Sequence, residues 1–353
     1  MNTYLFDRVT YEKYYNCSAY ETDEIPLAER RHIVLGSIHI GCFFILEPLY
    51  LLCLSAIRKR LDAPCYKIMF FMGVMDVLCL PIIGLLHGCL GIIGAVFCTA
   101  PDLIYISGCV AMGLWVCEGM ASVLLALNRC FEIALPNAGE TIFRGSRTWA
   151  WISASLTFGT LYGFFGRTIL FSSTKMVWLF EPHVGYLPAP EPNWYFSRIA
   201  EIYDSSSAIT LTSLYVIFAF VLRCKISRTA GNGDALPNLK KSQKMAFLQA
   251  LVLSIIHINA SVVYCYIQVF GSNQVMTTLG MLGWFFAHGS PPVIYLTLNK
   301  SIRNDCLRTI SRTFKCHRIK PNIITVSTIR SVKPVYPSVR ECIEANLAMR
   351  GLP

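Results

Sequence analysis

Along most of this chain, apolar residues do not alternate with polar ones; they run on. Seven runs stand out: His32–Ile57, Tyr66–Leu90, Leu103–Phe131, Thr148–Leu170, Ile199–Leu222, Met245–Phe270 and Met276–Leu298. A helix needs about 20 mostly apolar residues to cross the hydrocarbon of a bilayer, and each run reaches that length. Lipid offers the backbone no hydrogen-bond partner, so each run is expected to be a helix. The pattern predicts an all-α membrane protein, a seven-transmembrane helix bundle over residues 32–298. An N-terminal segment, 1–31, precedes it.

The polar stretches between the runs are short, with two exceptions. Residues 171–197 hold Pro182, Pro188, Pro190 and Pro192 among Trp178, Tyr186, Trp194 and Tyr195. That composition suits either an interfacial aromatic belt with an irregular loop or a lid over a cavity. Residues 223–244 carry Gly231-Asn232-Gly233-Asp234 and Pro237, a turn-rich break between basic ends. Beyond the last run, Ile302, Cys306, Ile310 and Phe314 recur every four residues, with Arg303, Arg308, Arg312 and Lys315 elsewhere. This predicts an amphipathic helix over 299–316 lying in the membrane interface. Cys306 and Cys316 stand there as acylation sites or as unmodified thiols. Pro321, Pro334 and Pro337 mark 317–353 as a flexible tail.

Charged residues make up 15% of the chain and hydrophobic ones 54%, against about a quarter charged in a soluble domain. No connection exceeds roughly the thirty residues that a separate catalytic module would far surpass. The net charge of +10 would suit nucleic acid, but its placement argues for topology instead. Of the 31 lysines and arginines, 24 fall at the ends of or after runs one, three, five and seven, among them Arg58, Arg129, Lys241 and Lys300. The other side holds Arg8, Lys13, Arg30, Arg31, Arg167, Lys175 and Arg198. The positive-inside rule then places the N-terminus outside and the tail in the cytoplasm, where the basic stretches face membrane lipids rather than nucleic acid.

Asn16-Cys17-Ser18 is an N-glycosylation acceptor, consistent with an outer N-terminal segment. The first twenty residues lack the apolar core of a cleavable signal peptide, so the first run is expected to direct its own insertion. Most of the fifteen cysteines fall within runs or on the inner side, where small apolar packing is the expected role. Cys17, Cys89 and Cys98 alone lie outside or at the outer edge. Cys98 therefore has Cys17 or Cys89 as a partner; Cys17–Cys98 is the favoured pair because it would fold the N-terminal segment over the helix mouth.

Ionisable groups are costly in a bilayer, so each one starts as a functional candidate. Glu47, Asp76, Glu118 and His288 each lie ten or eleven residues from the inner end of their run. At ~1.5 Å per residue they share a depth roughly 15–17 Å from the inner boundary. Either they form one coupled polar cluster or each is hydrogen-bonded separately. His257 lies slightly further out. No HExxH, GxSxG or P-loop is present, nor any cysteine/histidine spacing of a metal site, so an enzyme, a cofactor or a bound metal is not expected. The seventh run has no lysine for a retinal Schiff base.

Several motifs occur in order. Run three ends Leu127-Asn128-Arg129-Cys130. Run seven reads His288-Gly289-Ser290-Pro291-Pro292-Val293-Ile294-Tyr295, then Leu298-Asn299-Lys300-Ser301-Ile302-Arg303. With Asn16-Cys17-Ser18 and the Phe97-Cys98 entry to run three, residues 11–316 resemble a nematode serpentine receptor of class T (Srt), a chemoreceptor-type G-protein-coupled receptor. The resemblance implies a plasma-membrane receptor that carries the signal of an external chemical ligand to a heterotrimeric G protein. Asn128-Arg129-Cys130 is similar to the acidic-Arg-Tyr triplet of rhodopsin-like receptors, which would make Arg129 the cation that meets the G protein. Asn128 stands in the acidic position, so no ion pair can form within the triplet.

Pro292 to Tyr295 resembles Asn-Pro-x-x-Tyr with Pro291 in the Asn place, and run six lacks the usual kink proline. In the outer half, Tyr105, Trp115, Arg167, Glu201, Asp204, Tyr264 and Trp284 are candidates to line a ligand cavity. A competing class remains open, a seven-helix ion or proton transporter or channel that uses the midspan carboxylates.

Overall fold

The computed structural model of the protein describes residues 1–18, 24–186, 192–231 and 241–318. The turn-rich break at Asn232–Lys240, the glycine-free prolines Pro188 and Pro190, and the tail from 319 onward lie outside the described residues. Two compact units divide the chain, Met1–Thr309 and Ile310–Pro353. The described part of the second, to Arg318, is helical.

The first unit opens with short helices α1 (Asn2–Phe6), α2 (Arg8–Tyr14) and α3 (Leu27–Arg30). The long helix α4 (Ile33–Ile57) follows, then α5 (Pro64–Leu80) and α6 (His87–Ile93), joined by a π-wound stretch at Pro81–Leu86. Pro81 has no N–H to return to the preceding turn, so the ladder widens there rather than breaking. Next come α7 (Pro101–Ala134), α8 (Pro136–Phe143) and α9 (Arg147–Phe165). A hairpin of β1 (Leu170–Ser172) and β2 (Val177–Leu179) leads to α10 (Pro192–Tyr195), α11 (Arg198–Gly231) and α12 (Lys241–Phe270). The series ends with α13 (Gln274–Gly289), α14 (Pro291–Leu298) and α15 (Lys300–Arg318).

Among the described residues, five helical stretches are long and apolar enough to cross a membrane: Leu27–Arg60, Pro64–Ile93, Pro101–Ala134, Arg198–Val221 and Lys244–Phe270. The fourth and seventh runs are helical but stand outside these five. The seventh is split at Ser290, because Pro291 and Pro292 cannot donate to the carbonyls one turn back. The fourth ends at Phe165, five residues short of the predicted Leu170, as Gly166 turns the backbone extended. Large apolar side chains face outward along the long helices, Val34, Phe44, Ile45, Val216 and Phe220 among them. On a water-soluble protein such a girdle would be an aggregation hazard; against lipid it is what the solvent requires.

Helix α7 occupies the middle and packs against α5, α9, α11 and α12. Its approach to α9 depends on small residues: a Cβ added at Gly159 would come within 2.7 Å of the Gly113 carbonyl and would also strike the Cys117 sulfur. Close backbone approach of this kind is how helices associate without a hydrophobic driving force between them.

At one end of the bundle, Cys17 and Cys98 form a disulfide, with Cα atoms 5.5 Å apart, and Cys89 is a free, exposed thiol. The loop after α9 is in part a built hairpin, with Leu170 paired to Leu179, Phe171 to Trp178 and Ser172 to Val177, all six buried. The Ser173 amide donates to the Ala95 carbonyl (3.0 Å), tying the hairpin to the turn before α7. At the opposite end, Ile302 and Cys306 of α15 are buried, and Arg60 pairs with Asp305 at 2.7 Å. The Cys306 thiol points to the Leu52 carbonyl (3.7 Å), so in this arrangement it is not presented for acylation; the Cys316 side chain is outside the described residues.

Candidate functional site

Two carboxylate–imidazole pairs hold the middle of the bundle. Asp76 of α5 lies 2.6 Å from Nδ1 of His288 on α13, and both are fully buried. Tyr50 of α4 donates its hydroxyl to the other oxygen of Asp76, so one carboxylate joins three helices. Glu118 of α7 lies 2.8 Å from Nδ1 of His257 on α12. There neither facing atom has an aligned hydrogen bond. Glu118 also accepts from Ser122 (2.9 Å), and Ser207 lies 3.3 Å from the far nitrogen of His257.

Trp115 connects these groups. Its ring stacks on His257 with centroids 4.3 Å apart, its edge meets His288 at 5.9 Å, and its N–H donates to Asp204 of α11 at 2.9 Å. The polar level predicted at midspan thus gathers Asp76, Glu118 and His288, together with His257 and Asp204. Glu47 is not part of it. It is only partly buried on α4, and its Oε2 meets no hydrogen-bond partner. Counting residues fixed its height but not its direction: α4 turns Tyr50, three positions on, into the bundle instead.

Between this level and the Cys17–Cys98 end of the bundle is a narrow cavity of about 30 Å³. Met112 and Trp115 come from α7, Asp204 from α11, Tyr264 and Gln268 from α12 and Trp284 from α13. Ile169, just before the hairpin, and Phe180, just after it, complete the wall. Four sequence candidates therefore meet here: Trp115, Asp204, Tyr264 and Trp284. Met112 and Gln268 were missed although helical spacing marks them, three before Trp115 and four after Tyr264. Phe180 left no periodic signal because it is on a loop.

Tyr105, Arg167 and Glu201 do not reach the cavity. Tyr105 is the centre of an aromatic knot with Tyr4, Tyr11 and Tyr15 of the N-terminal segment, at centroid distances of 5.2–5.4 Å. Arg167 lies 4.2 Å over the ring of Trp194, which also stacks on Tyr14 at 3.8 Å. Glu201, partly exposed on α11, accepts a weak thiol contact from Cys265 only through its carbonyl (3.9 Å). The first two serve the cap, which no helix-face argument could have foreseen while the N-terminal segment had no assigned place.

Burial in that cap pushes the Tyr11 phenol up to about 12, helped by the nearby Asp102 carboxylate. In the loop after the hairpin, burial holds the His183 imidazole down to about 4. Asn16 is exposed, its side-chain oxygen accepting from both the amide and hydroxyl of Ser18 at 2.8 Å.

At the end opposite the Cys17–Cys98 disulfide, Arg129 is buried and reaches Glu132, one turn on, at 2.7 Å. The triplet lacks its acidic member, but Glu132 supplies a carboxylate from the next turn. Glu132 is 42% exposed, so the pair sits at the edge of water. Both residues line a cleft of about 410 Å³ with Tyr66, Met245, Asn299 and Lys300. Asn128 and Cys130 are buried beside Arg129. Pro292 accepts from the Cys53 thiol (3.8 Å), and fully buried Tyr295 stands perpendicular to Tyr50 at 6.4 Å.

A small cavity, a paired polar level and, at the opposite end, a cleft holding a buried arginine are thus built into one helix bundle. The chain belongs to the serpentine-type 7TM GPCR chemoreceptor family Srt, whose model matches residues 1–320. It is also similar to Serpentine receptor class T-55 of Caenorhabditis elegans, with 22% identity over 325 residues, covering 88% of this chain and 84% of that protein. It is accordingly a multi-pass membrane protein of a chemosensory receptor family, not of an enzyme family.

Proposed function

We propose that the protein is a seven-pass plasma-membrane receptor, N-terminus outside, that binds an external chemical and passes the signal to a heterotrimeric G protein. The observation that carries this reading is the position of Trp115. Its ring is a wall of the outer cavity, and the same side chain touches Asp204, His257 and His288, which belong to three other helices. A ligand that shifts this indole alters its contacts with α11, α12 and α13 together. Differential affinity for two such arrangements is all that a switch requires. Arg129, held by the half-exposed Glu132 at the mouth of the inner cleft, is then the group released to the G protein. Asn128, Cys130, Pro292 and Tyr295 support it from buried positions.

In this reading α9 and the α13–α14 pair are the fourth and seventh crossings, joining the five long helices. The basic excess after runs one, three, five and seven then faces the cytoplasm. The competing reading, an ion path through the midspan carboxylates, finds Asp76 and Glu118 each paired with a histidine rather than open to a channel.

Agonist-dependent nucleotide exchange on a purified G protein tests the reading. It should appear with the intact receptor and fall at least tenfold with Arg129→Ala. A proton or cation current from the reconstituted protein, with no exchange, would decide for the transporter. For topology, Asn16→Gln should abolish a glycan-dependent gel shift; a shift that persists unchanged counts against an outer N-terminus.

A further inference from the structure

We propose that the outer cavity takes a small organic cation, a protonated or quaternary amine on an apolar body, with Asp204 as its counter-ion. The inference rests on the receptor reading for its biological meaning, but its chemistry comes from a count of charges. Three carboxylates, Asp76, Glu118 and Asp204, are more than nine-tenths buried in the bundle interior. Two imidazoles face them, and both are taken: His288 by Asp76 and His257 by Glu118. Asp204 is left with a neutral donor, the Trp115 indole N–H, and no cationic side chain within ion-pair distance among the described residues. A carboxylate so placed carries a desolvation cost that a bound cation would offset.

The wall around Asp204 supplies the rest of the complement. Three of its polar atoms are buried with no hydrogen-bond partner: Gln268 Oε1, Tyr264 Oη and Trp284 Nε1. Buried polar atoms are rarely left so, and three facing one cavity point to an occupant that answers them. Gln268 Oε1 and the carboxylate can only accept, so they call for N–H donors. The Trp284 indole can only donate and Tyr264 can do so, which calls for one acceptor atom on the same ligand. The remaining surface is Met112, Ile169 and the rings of Trp115, Phe180, Tyr264 and Trp284, and aromatic faces attract a cation as well as an apolar body. An anion would meet Asp204 and be repelled. A neutral molecule would leave the carboxylate unanswered.

The test uses full-length receptor in lipid nanodiscs, titrated by tryptophan fluorescence, since Trp115 and Trp284 form the wall. The probes are phenethylamine and benzyltrimethylammonium, with 2-phenylethanol as the neutral and 3-phenylpropanoate as the anionic counterpart. Both cations should bind at least tenfold more tightly than the alcohol, and Asp204→Asn should remove that difference while leaving the alcohol's affinity in place. Equal affinities, tighter binding of the acid, or cation binding untouched by Asp204→Asn overturns the proposal.

Should Asp204→Asn fail to fold, Gln268→Leu replaces it. Phenethylamine should weaken several-fold, and benzyltrimethylammonium, which has no N–H to donate, should not. No loss for either overturns the assignment. Nucleotide exchange separates the two readings. Exchange driven by a neutral or anionic compound while amines fail to bind overturns the cation site and leaves the receptor standing. Asp204-dependent amine binding with no exchange on any G protein upholds the site and overturns the receptor.

Discussion

The two midspan ion pairs use the same chemistry to different ends. Asp76–His288 is fully buried, aligned and reinforced by the Tyr50 hydroxyl, so it joins α4, α5 and α13 at one point. Glu118–His257 is as close but misaligned, and His257 divides its contacts among Glu118, Ser207 and the Trp115 ring. The first pair, although His288 Nε2 meets no partner, is the more firmly bonded of the two. The second, beside the cavity walled by Trp115, has alternatives within reach and thus little to lose by rearranging. Helix α12 contains no proline to act as a hinge, and an under-committed pair between α7 and α12 offers another way for it to move.

The contrast can be broken first at its strong side. Replacing Asp76 with Ala strands a buried histidine and should cost about 3–5 kcal/mol, the usual penalty for halving a buried pair. Thermal unfolding of the detergent-purified receptor would reveal it, and a loss below ~1 kcal/mol would mean the pair is not the firmer one. Opening the Cys17–Cys98 bridge with Cys98→Ser should come next, at about 2–4 kcal/mol, with no change in the midspan pairs. Glu118→Gln should cost only about 1 kcal/mol, within the range of hydrogen bonds inside membranes. Unlike the others, it should raise basal nucleotide exchange. An equal stability loss in Asp76→Asn and Glu118→Gln, with basal exchange flat in both, would erase the distinction. Finally, the double-mutant cycle of those two substitutions should show a coupling of ~0.5–1 kcal/mol transmitted through Trp115, whereas strict additivity would make the pairs independent.

Much of this was legible in the residues. Run length gave the helices, since lipid leaves the backbone no other choice, and depth counting brought Asp76, Glu118 and His288 to one level. What the chain could not show was direction around each helix axis. Glu47 is at the right height but only half-buried and joined to none of the other members by a hydrogen bond or ion pair among the described residues, while His257, placed a little too far out by counting, is a full member. The cavity was half readable for the same reason: Trp115, Asp204, Tyr264 and Trp284 face it, whereas Arg167 and Tyr105 at similar heights turn to the cap. That cap was the least legible part. Its hairpin and tyrosine knot are contacts between segments far apart in sequence, and no local period records them. The Arg129–Glu132 pair, by contrast, was one helical turn away and within reach of the i, i+3 rule.

The 81-residue separation of Cys17 and Cys98 makes a closed loop that encloses α4, α5 and α6 along with both of their connections. Within that loop the backbone is no longer the only route between neighbouring helices. A single proteolytic nick in the basic turn at Arg58–Arg60 would sever the chain and yet release nothing. The two pieces would migrate as one polypeptide until a reductant was added. The receptor's first helix is thus fastened twice, once by peptide bonds on the basic side and once by sulfur on the other.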